Sequence, residues 1–211
     1  IKSRSFMIKK YYLHMGLHKT GTKFFQHKVF PNLPDSHIYN PPRLTQLICD
    51  LIKAEQKDVK LVVTEIEKEK QLIDTFDGEM VVISREIMSG DLFTFYKNTD
   101  YIVDRLYRCF SNAHIICSFR YQVDWLLSCY RESVHEHHYQ SISEFIGLEK
   151  ASDKRFASTD YKVLDYGKII RKLVSTFGKN NVNFLFYETL KKDKTVAVKE
   201  MATALGLSEI K

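Results

Sequence analysis

Apolar residues along the chain follow two alternating patterns, which predict a succession of strands and helices. Short continuous apolar runs, typical of strands that are buried on both faces, occupy residues 11–15, 80–84, 113–119 and 182–187. Between these runs, apolar side chains recur every three or four residues, which is the spacing of amphipathic helices. The predicted helices cover residues 20–30, 43–56, 59–76, 99–110, 122–139, 143–146, 164–177 and 195–205.

This succession predicts an α/β protein of three layers, with a central parallel sheet covered by helices on both sides. Ligands of such sheets bind at the carboxyl ends of the strands. The loop-rich stretch is confined to residues 31–43, which hold several prolines, and no interdomain linker is evident. We therefore expect one domain over residues 7–211, with Met7 as the native start and residues 1–6 as an addition.

Composition narrows the class of protein. The chain is 44% hydrophobic and 13% aromatic, which is a globular composition. Its net charge of +6 suits an anionic ligand, but the basic residues are spread along the chain, so we expect no nucleic-acid partner. No apolar run has the length of a membrane helix. The four cysteines lack C-x-x-C spacing, which favours buried thiols and a cytoplasmic location.

The most informative stretch is residues 11–26, where the first strand breaks at Gly16 and a helical pattern begins after Gly21. A junction of strand, tight turn and helix directs backbone N–H groups and the positive end of the helix dipole at one point. Amine and hydroxyl donors on the turn add to this, from Lys19, Thr20, Thr22 and Lys23. The stretch predicts a site for a phosphate-like anion; the alternative is an ordinary glycine turn.

Two loop patterns compete at this site. Gly16 and Gly21 have the spacing of the nucleotide-binding phosphate loop, G-x-x-x-x-G-K-[ST], but Thr22-Lys23 displaces the lysine and leaves no hydroxyl after it to bind magnesium. The stretch instead resembles the phosphosulfate loop of the sulfotransferases. The resemblance implies a P-loop NTPase-like fold and a donor, 3′-phosphoadenosine 5′-phosphosulfate (PAPS), with Lys19 neutralising charge on the leaving phosphate. It assigns to the phosphosulfate His18, Lys19, Thr20, Gly21, Thr22 and Lys23.

A second motif lies at the end of the third apolar run. Arg120 follows that run, and Ser128 comes eight residues later in the next helix. In the sulfotransferases, an arginine and a serine with this spacing bind the 3′-phosphate of the donor, for which a guanidinium offers a fork of N–H groups. Tyr121 and Gln122 stand where the family usually has a proline. Without the resemblance, the two residues would be a surface ion pair and a solvated serine.

Two weaker similarities point the same way. The sequence around Glu86 resembles the strand end of carbohydrate and bacterial sulfotransferases, in which a glutamate is the catalytic base. Tyr187 matches a position of the family's last strand at which a tyrosine lies beside the adenine of the donor. The structural alternatives are an exposed glutamate and a core tyrosine.

Residues 135–138, His-Glu-His-His, suggest a metal site, but adjacent side chains on one helix do not converge on an ion. We therefore expect no metal. A solvated helix end or a contact with the acceptor are the remaining interpretations.

The sequence thus predicts a sulfotransferase that transfers a sulfuryl group from PAPS to the hydroxyl or amine of a small-molecule or oligosaccharide acceptor, leaving adenosine 3′,5′-bisphosphate (PAP). A carbohydrate hydroxyl is favoured by the similarity around Glu86. A magnesium-dependent nucleotide kinase or NTPase and a non-catalytic nucleotide-binding module remain as alternatives, and the oligomeric state stays open.

Overall fold

The chain folds around a parallel sheet. The computed structural model describes residues 9–34, 36–136, 140–150 and 165–210. In these residues the strands are β1 (Lys10–His14), β2 (His37–Tyr39), β3 (Met80–Ser84), β4 (His114–Phe119) and β5 (Val182–Phe186). They pair in parallel in the order β2-β3-β1-β4-β5. The predicted α/β class with a central parallel sheet is confirmed.

Side chains of the central strands alternate between two apolar cores. On β1, Leu13 lies in one core and Tyr12 in the other, and on β3 the same alternation separates Ile83 from Val82. Both faces of the sheet are therefore buried, which explains why these strands appear in the sequence as unbroken apolar runs. The four cysteines are buried free thiols, in agreement with their spacing.

Helices cover both faces of the sheet. In chain order they are α1 (Thr22–Phe24), α2 (Pro42–Lys53), α3 (Val59–Asp74), α4 (Thr99–Cys109), α5 (Gln122–His135), α6 (Ile142–Phe145), α7 (Tyr166–Phe177), α8 (Tyr187–Lys192) and α9 (Lys194–Ala204). Helices α2 to α7 contribute to the first core, whereas α8, α9 and the residues after α1 contribute to the second. The crossovers after β2, β3 and β4 thus supply one outer layer, whereas the residues after α1 and the two helices that follow β5 supply the other.

Three local predictions differ from the structure. The stretch predicted as loop contains β2, an edge strand of three half-buried residues that is too short to produce a pattern. The predicted helix 20–30 begins at Thr22 and widens after one turn into a π-helix, Phe25–Val29. Tyr187, predicted to end the last strand, begins α8. Parts of the predicted helices 122–139 and 164–177 lie outside the described residues.

His14 joins the carboxyl ends of the three central strands. Its Nδ1 lies 2.7 Å from the hydroxyl of Ser84 on β3, and its Nε2 lies 3.3 Å from the hydroxyl of Ser118 on β4. The side-chain amide of Gln26 also donates to the carbonyl of Ser84. The His14 ring is fully buried, and burial lowers its pKa to about 3. The ring is therefore neutral at pH 7, directly below the loop that follows β1.

We expect this neutral histidine to make stability depend on pH. Between an unfolded-state pKa of about 6.5 and the folded-state value of about 3, the unfolded chain binds a proton at His14 that the folded chain does not, so acid favours unfolding. On going from pH 7 to pH 5, the wild type should lose about 2 kcal/mol more unfolding free energy than His14→Gln, as measured by urea denaturation. Equal losses would mean that folded His14 accepts the proton.

Candidate active site

A cavity of about 770 Å³ opens beside the carboxyl ends of β1, β3 and β4. Residues of the loop after β1, the turn after β3, α5 and the start of α8 all line it. Of the residues that the sequence predicted for the site, the cavity brings together His18, Lys19, Gly21, Thr22, Lys23, Glu86, Arg120, Ser128 and Tyr187. Thr20 is the exception, since its side chain is buried beneath the loop and its hydroxyl donates to the carbonyl of Leu17 at 2.5 Å.

The loop after β1 is fixed to β4 before it turns. The N–H groups of Met15 and Leu17 donate to the carbonyls of Ile116 and Ser118, at 2.9 and 3.1 Å, and so continue the sheet beyond the end of β1. The backbone then adopts the left-handed conformation at Lys19, with φ 63°, and at Gly21, with φ 84°. These two residues turn the backbone between the end of the β1 pairing and the start of α1. A lysine rarely adopts a left-handed conformation unless the surrounding structure enforces it.

Close packing explains both glycines of the loop. A Cβ at Gly16 would lie 2.6 Å from the hydroxyl oxygen of Thr22. A Cβ at Gly21 would lie 2.5 Å from a methyl group of Leu190, in addition to the strain of its positive φ. The loop therefore lies against its own helix on one side and against α8 on the other.

The turn presents several donors without partners. Among the described residues, none accepts a hydrogen bond from the backbone N–H of Lys19, Thr20, Gly21, Thr22 or Lys23. The hydroxyl of Thr22 is buried and also lacks a described partner. Because a buried donor without an acceptor is costly, the Thr22 hydroxyl and the neighbouring N–H groups are suited to an anion that would accept from several of them at once.

Arg120 connects the second predicted motif with the loop. Its guanidinium donates to the carbonyl of Lys19 at 3.2 Å and lies 4.5 Å from the centre of the Tyr187 ring. The hydroxyl of Tyr166 in turn donates to the carbonyl of Arg120 at 2.9 Å. Arg120 Nε is buried without a described partner. A second group of anion-binding donors therefore lies next to the turn, stacked on an aromatic ring.

The sequence analysis missed Glu132. Its carboxylate lies 3.0 Å from the Lys19 ammonium, and both side chains are about one-third exposed. The hydrogen bond from Lys19 holds the pKa of Glu132 below its usual range. Glu132 comes one helical turn after Ser128 on α5 and faces the same cavity. Its helical spacing from Ser128 was the one signal available in the sequence.

His18 has two further contacts that the sequence did not predict. Its backbone N–H donates to the hydroxyl of Tyr96 at 2.8 Å, and the Trp125 indole donates to its carbonyl at 2.8 Å. Burial lowers the pKa of the His18 imidazole, and the nearby carboxylates, Glu86 first among them, oppose the shift. Glu86 itself begins the short 3₁₀ turn Glu86–Ser89, which Arg85 separates from β3.

The wall opposite the loop combines apolar and polar groups. It is formed by Ile52 and Lys53 at the end of α2, by residues after β3, and by Tyr101 of α4. The Arg105 guanidinium, itself buried, donates to the carbonyls of Leu51 and Ala54, which holds the end of α2 in place. The cavity thus has a cationic side on the loop and a mixed side where a second molecule could lie.

Two predicted absences concern the described residues alone. Within them, no group of His, Cys, Asp and Glu side chains could hold a metal ion, and no helix has the length and apolar character needed to cross a membrane. His135 ends α5 and does not line the cavity, while residues 137 and 138 lie outside the described ranges.

The fold is similar to that of solved sulfotransferase structures, although comparisons of the sequence find no match. No protein-family model and no curated protein matches the sequence. A sulfotransferase from Alicyclobacillus acidocaldarius superposes with a TM-score of 0.62 at 17% identity, covering 95% of this chain and 82% of that one. The sulfotransferase domain from the curacin biosynthetic pathway superposes with a TM-score of 0.53 at 12% identity, covering 95% and 75%. The chain therefore has the P-loop NTPase-like fold of the sulfotransferases.

Proposed function

We propose that the protein transfers a sulfuryl group from PAPS to an acceptor hydroxyl and releases PAP. The observation that carries this proposal is the adjacency of two groups of anion-binding donors in one cavity. The turn from Lys19 to Lys23 offers unpaired N–H groups, and Arg120 and Ser128 offer charged and polar donors beside it. A nucleotide with phosphate at both the 3′ and 5′ positions has charges suited to both groups.

The residues present fit such a donor. The turn, with the buried Thr22 hydroxyl, would hold the phosphosulfate, and Arg120 and Ser128 would hold the 3′-phosphate. Tyr187 offers a ring beside Arg120 on which adenine can stack.

The chemistry requires a base and a positive charge on opposite sides of the transferred group. PAPS supplies the sulfuryl group: the acceptor oxygen forms a bond to sulfur, and the bond from sulfur to the 5′-phosphate oxygen breaks. Glu86 accepts the proton of the acceptor hydroxyl, and Lys19 stabilises charge on the leaving phosphate. Glu86 is suited to this role because its side chain lines the cavity near His18, which directly precedes Lys19.

The acceptor we propose is a small molecule or oligosaccharide with a sugar hydroxyl. The mixed wall supports it, since Tyr101 and Asn98 offer an aromatic ring and an amide, both common partners of sugars. A nucleotide kinase remains the second candidate on the strength of the fold, although Thr22-Lys23 departs from its pattern. A single domain over residues 7–211 and a cytoplasmic location remain predictions of the sequence.

PAP should stabilise the protein without added metal. At a hundredfold excess over its dissociation constant, the linkage free energy is about 2.7 kcal/mol, which raises the Tm of a chain of this size by roughly 5 to 11 °C. Thermal denaturation with PAP, and separately with magnesium-ATP, measures this. A shift with magnesium-ATP and none with PAP would favour the kinase.

Arg120→Ala tests whether Arg120 binds the 3′-phosphate of PAP. Removing a charged hydrogen-bonding group costs about 1.5 to 3 kcal/mol, so the variant should lose about 10- to 150-fold in affinity for PAP. Its affinity for adenosine 5′-monophosphate, which lacks the 3′-phosphate, should change much less. Equal losses for both nucleotides would place Arg120 away from the 3′-phosphate.

Replacing Glu132 should tighten PAP binding. In the free protein its carboxylate pairs with Lys19 and repels a phosphate that approaches the same ammonium. An exposed ion pair contributes up to about 1 kcal/mol, so Glu132→Gln should bind PAP about 2- to 5-fold more tightly at low salt. Glu200→Gln removes the same charge from the exposed side of α9 and is the control for net charge. If Glu132→Gln bound PAP no more tightly than the wild type, the ion pair would instead serve to orient Lys19 for the ligand.

Glu86→Gln should reduce turnover and leave PAP affinity unchanged within a few fold. A positioned general base contributes about 10²- to 10⁴-fold to the rate, and glutamine has nearly the same shape without the ability to accept the proton. Steady-state turnover with any working acceptor, together with calorimetric PAP binding, separates the two effects. Turnover within threefold of the wild type would remove Glu86 from the mechanism.

A further inference from the structure

Residue 18 is held on both of its backbone polar groups by side chains from distant segments. Tyr96 accepts from the His18 N–H, and the Trp125 indole donates to the His18 carbonyl, each at 2.8 Å. The rings of Tyr96 and Trp125 contact each other, with centroids 5.8 Å apart, and both are buried. His18 therefore has one backbone position, set from outside its own loop.

Tyr96 reaches this position through an uncommon backbone conformation. Tyr96 and the preceding Phe95 have φ values of 60° and 47°, and both side chains are buried. Consecutive left-handed residues that are not glycine are rare and persist where the surrounding structure enforces them. The result of this conformation is the contact between the Tyr96 hydroxyl and His18.

The hydroxyl of Tyr96 also determines which nitrogen of His18 carries a proton. Its oxygen already accepts the His18 N–H, and burial keeps the pKa of Tyr96 well above its usual value, so the phenol retains its own proton. Of the described acceptors, His18 Nδ1, at 3.2 Å, is the one within reach of that proton. Nδ1 therefore accepts, and in the neutral ring the proton resides on Nε2.

The Nε2 edge of the ring has no hydrogen bond within the described residues. His18 lines the cavity together with Lys19 and Glu86, and no described residue bonds to its Nε2. Four carboxylates lie near the ring, those of Glu86, Asp91, Glu132 and Glu136, yet burial outweighs them and the pKa of His18 stays below its usual value. The imidazole is thus neutral at pH 7, with an N–H available to a bound group.

We propose that Tyr96 is a positioning residue that holds His18 as the Nε2–H tautomer, so that His18 donates a hydrogen bond to the sulfuryl oxygens and is not the base. The inference rests on the proposed function for the identity of the acceptor group. In this tautomer Nε2 has no lone pair to receive a proton, so the proton of the acceptor hydroxyl goes to Glu86. The hydrogen bond from the Tyr96 hydroxyl thereby leaves Glu86, and not His18, as the base.

The tautomer can be measured in the free protein. NMR of protein labelled with ¹⁵N-histidine distinguishes protonated from unprotonated ring nitrogens, and His18→Gln identifies the signals of His18. We expect a neutral ring at pH 7 with the proton on Nε2. Tyr96→Phe should shift the ratio of tautomers toward Nδ1–H by about 2- to 10-fold, the equivalent of one hydrogen bond. A proton on Nδ1, or a charged ring, in the wild type would overturn the proposal even if Tyr96→Phe failed to fold.

Tyr130→Phe is the matched control, because it removes a hydroxyl that donates to the carbonyl of Gln140 and its ring does not line the cavity. It should leave the His18 signals unchanged. A shift of equal size in Tyr130→Phe would assign the effect to a general loosening of the fold and would overturn the role of Tyr96.

Kinetics test the role of His18 as a hydrogen-bond donor. PAP lacks the sulfuryl group, so His18→Ala should bind PAP within a few fold of the wild type while turnover falls about 10²-fold, the usual effect of removing one donor to developing charge. Loss of PAP affinity with unchanged turnover would overturn the assignment. A protein that binds no PAP at all would instead refute the proposed function, and the NMR measurement would still decide the tautomer.

Discussion

The conformation of the loop after β1 depends on its pairing with β4. Residues 15 and 17 continue the sheet past the end of β1, so the loop leaves the sheet at a fixed point and in a fixed direction. The buried His14 below it joins β1 to both neighbouring strands. Further along the loop, the side chains of Tyr96 and Trp125 fix the backbone of His18, and Arg120 donates to the carbonyl of Lys19. The sheet therefore fixes where the loop begins, its neighbours fix where it turns, and the anion site follows from both.

Charges in the cavity are arranged by side. Lys19, Lys23 and Arg120 lie on the loop side, and carboxylates from two segments, the stretch after β3 and α5, lie near His18. Glu132 belongs to both groups, since it lies near His18 and pairs with Lys19. Because both side chains are about one-third exposed, this ion pair is weak, but it partly neutralises Lys19 in the empty site and opposes an incoming anion. The same residue thereby affects both the free and the bound state.

The sequence was sufficient to predict the parallel sheet and most of the cavity. Buried strands give apolar runs, and loops at their carboxyl ends converge, so Lys19, Glu86 and Arg120 could be placed together from their positions alone. Glu132 and Tyr96 could not be found in this way. Their roles depend on how α5 and the turns after β3 pack against the loop. A single sequence does not give the distances between such remote segments. The short edge strand β2 was missed because three half-buried residues carry no period.

Trp125 is the only tryptophan in the chain, and its indole N–H is bonded to the carbonyl of the residue that precedes Lys19. Indole emission responds to hydrogen bonding and to nearby charge, and excitation at wavelengths that tyrosine does not absorb selects this one buried ring in contact with the loop. The tryptophan fluorescence of the protein therefore reports on the surroundings of a single indole and not on an average over the fold. Occupancy of the loop becomes an optical signal that needs neither a label nor a known acceptor.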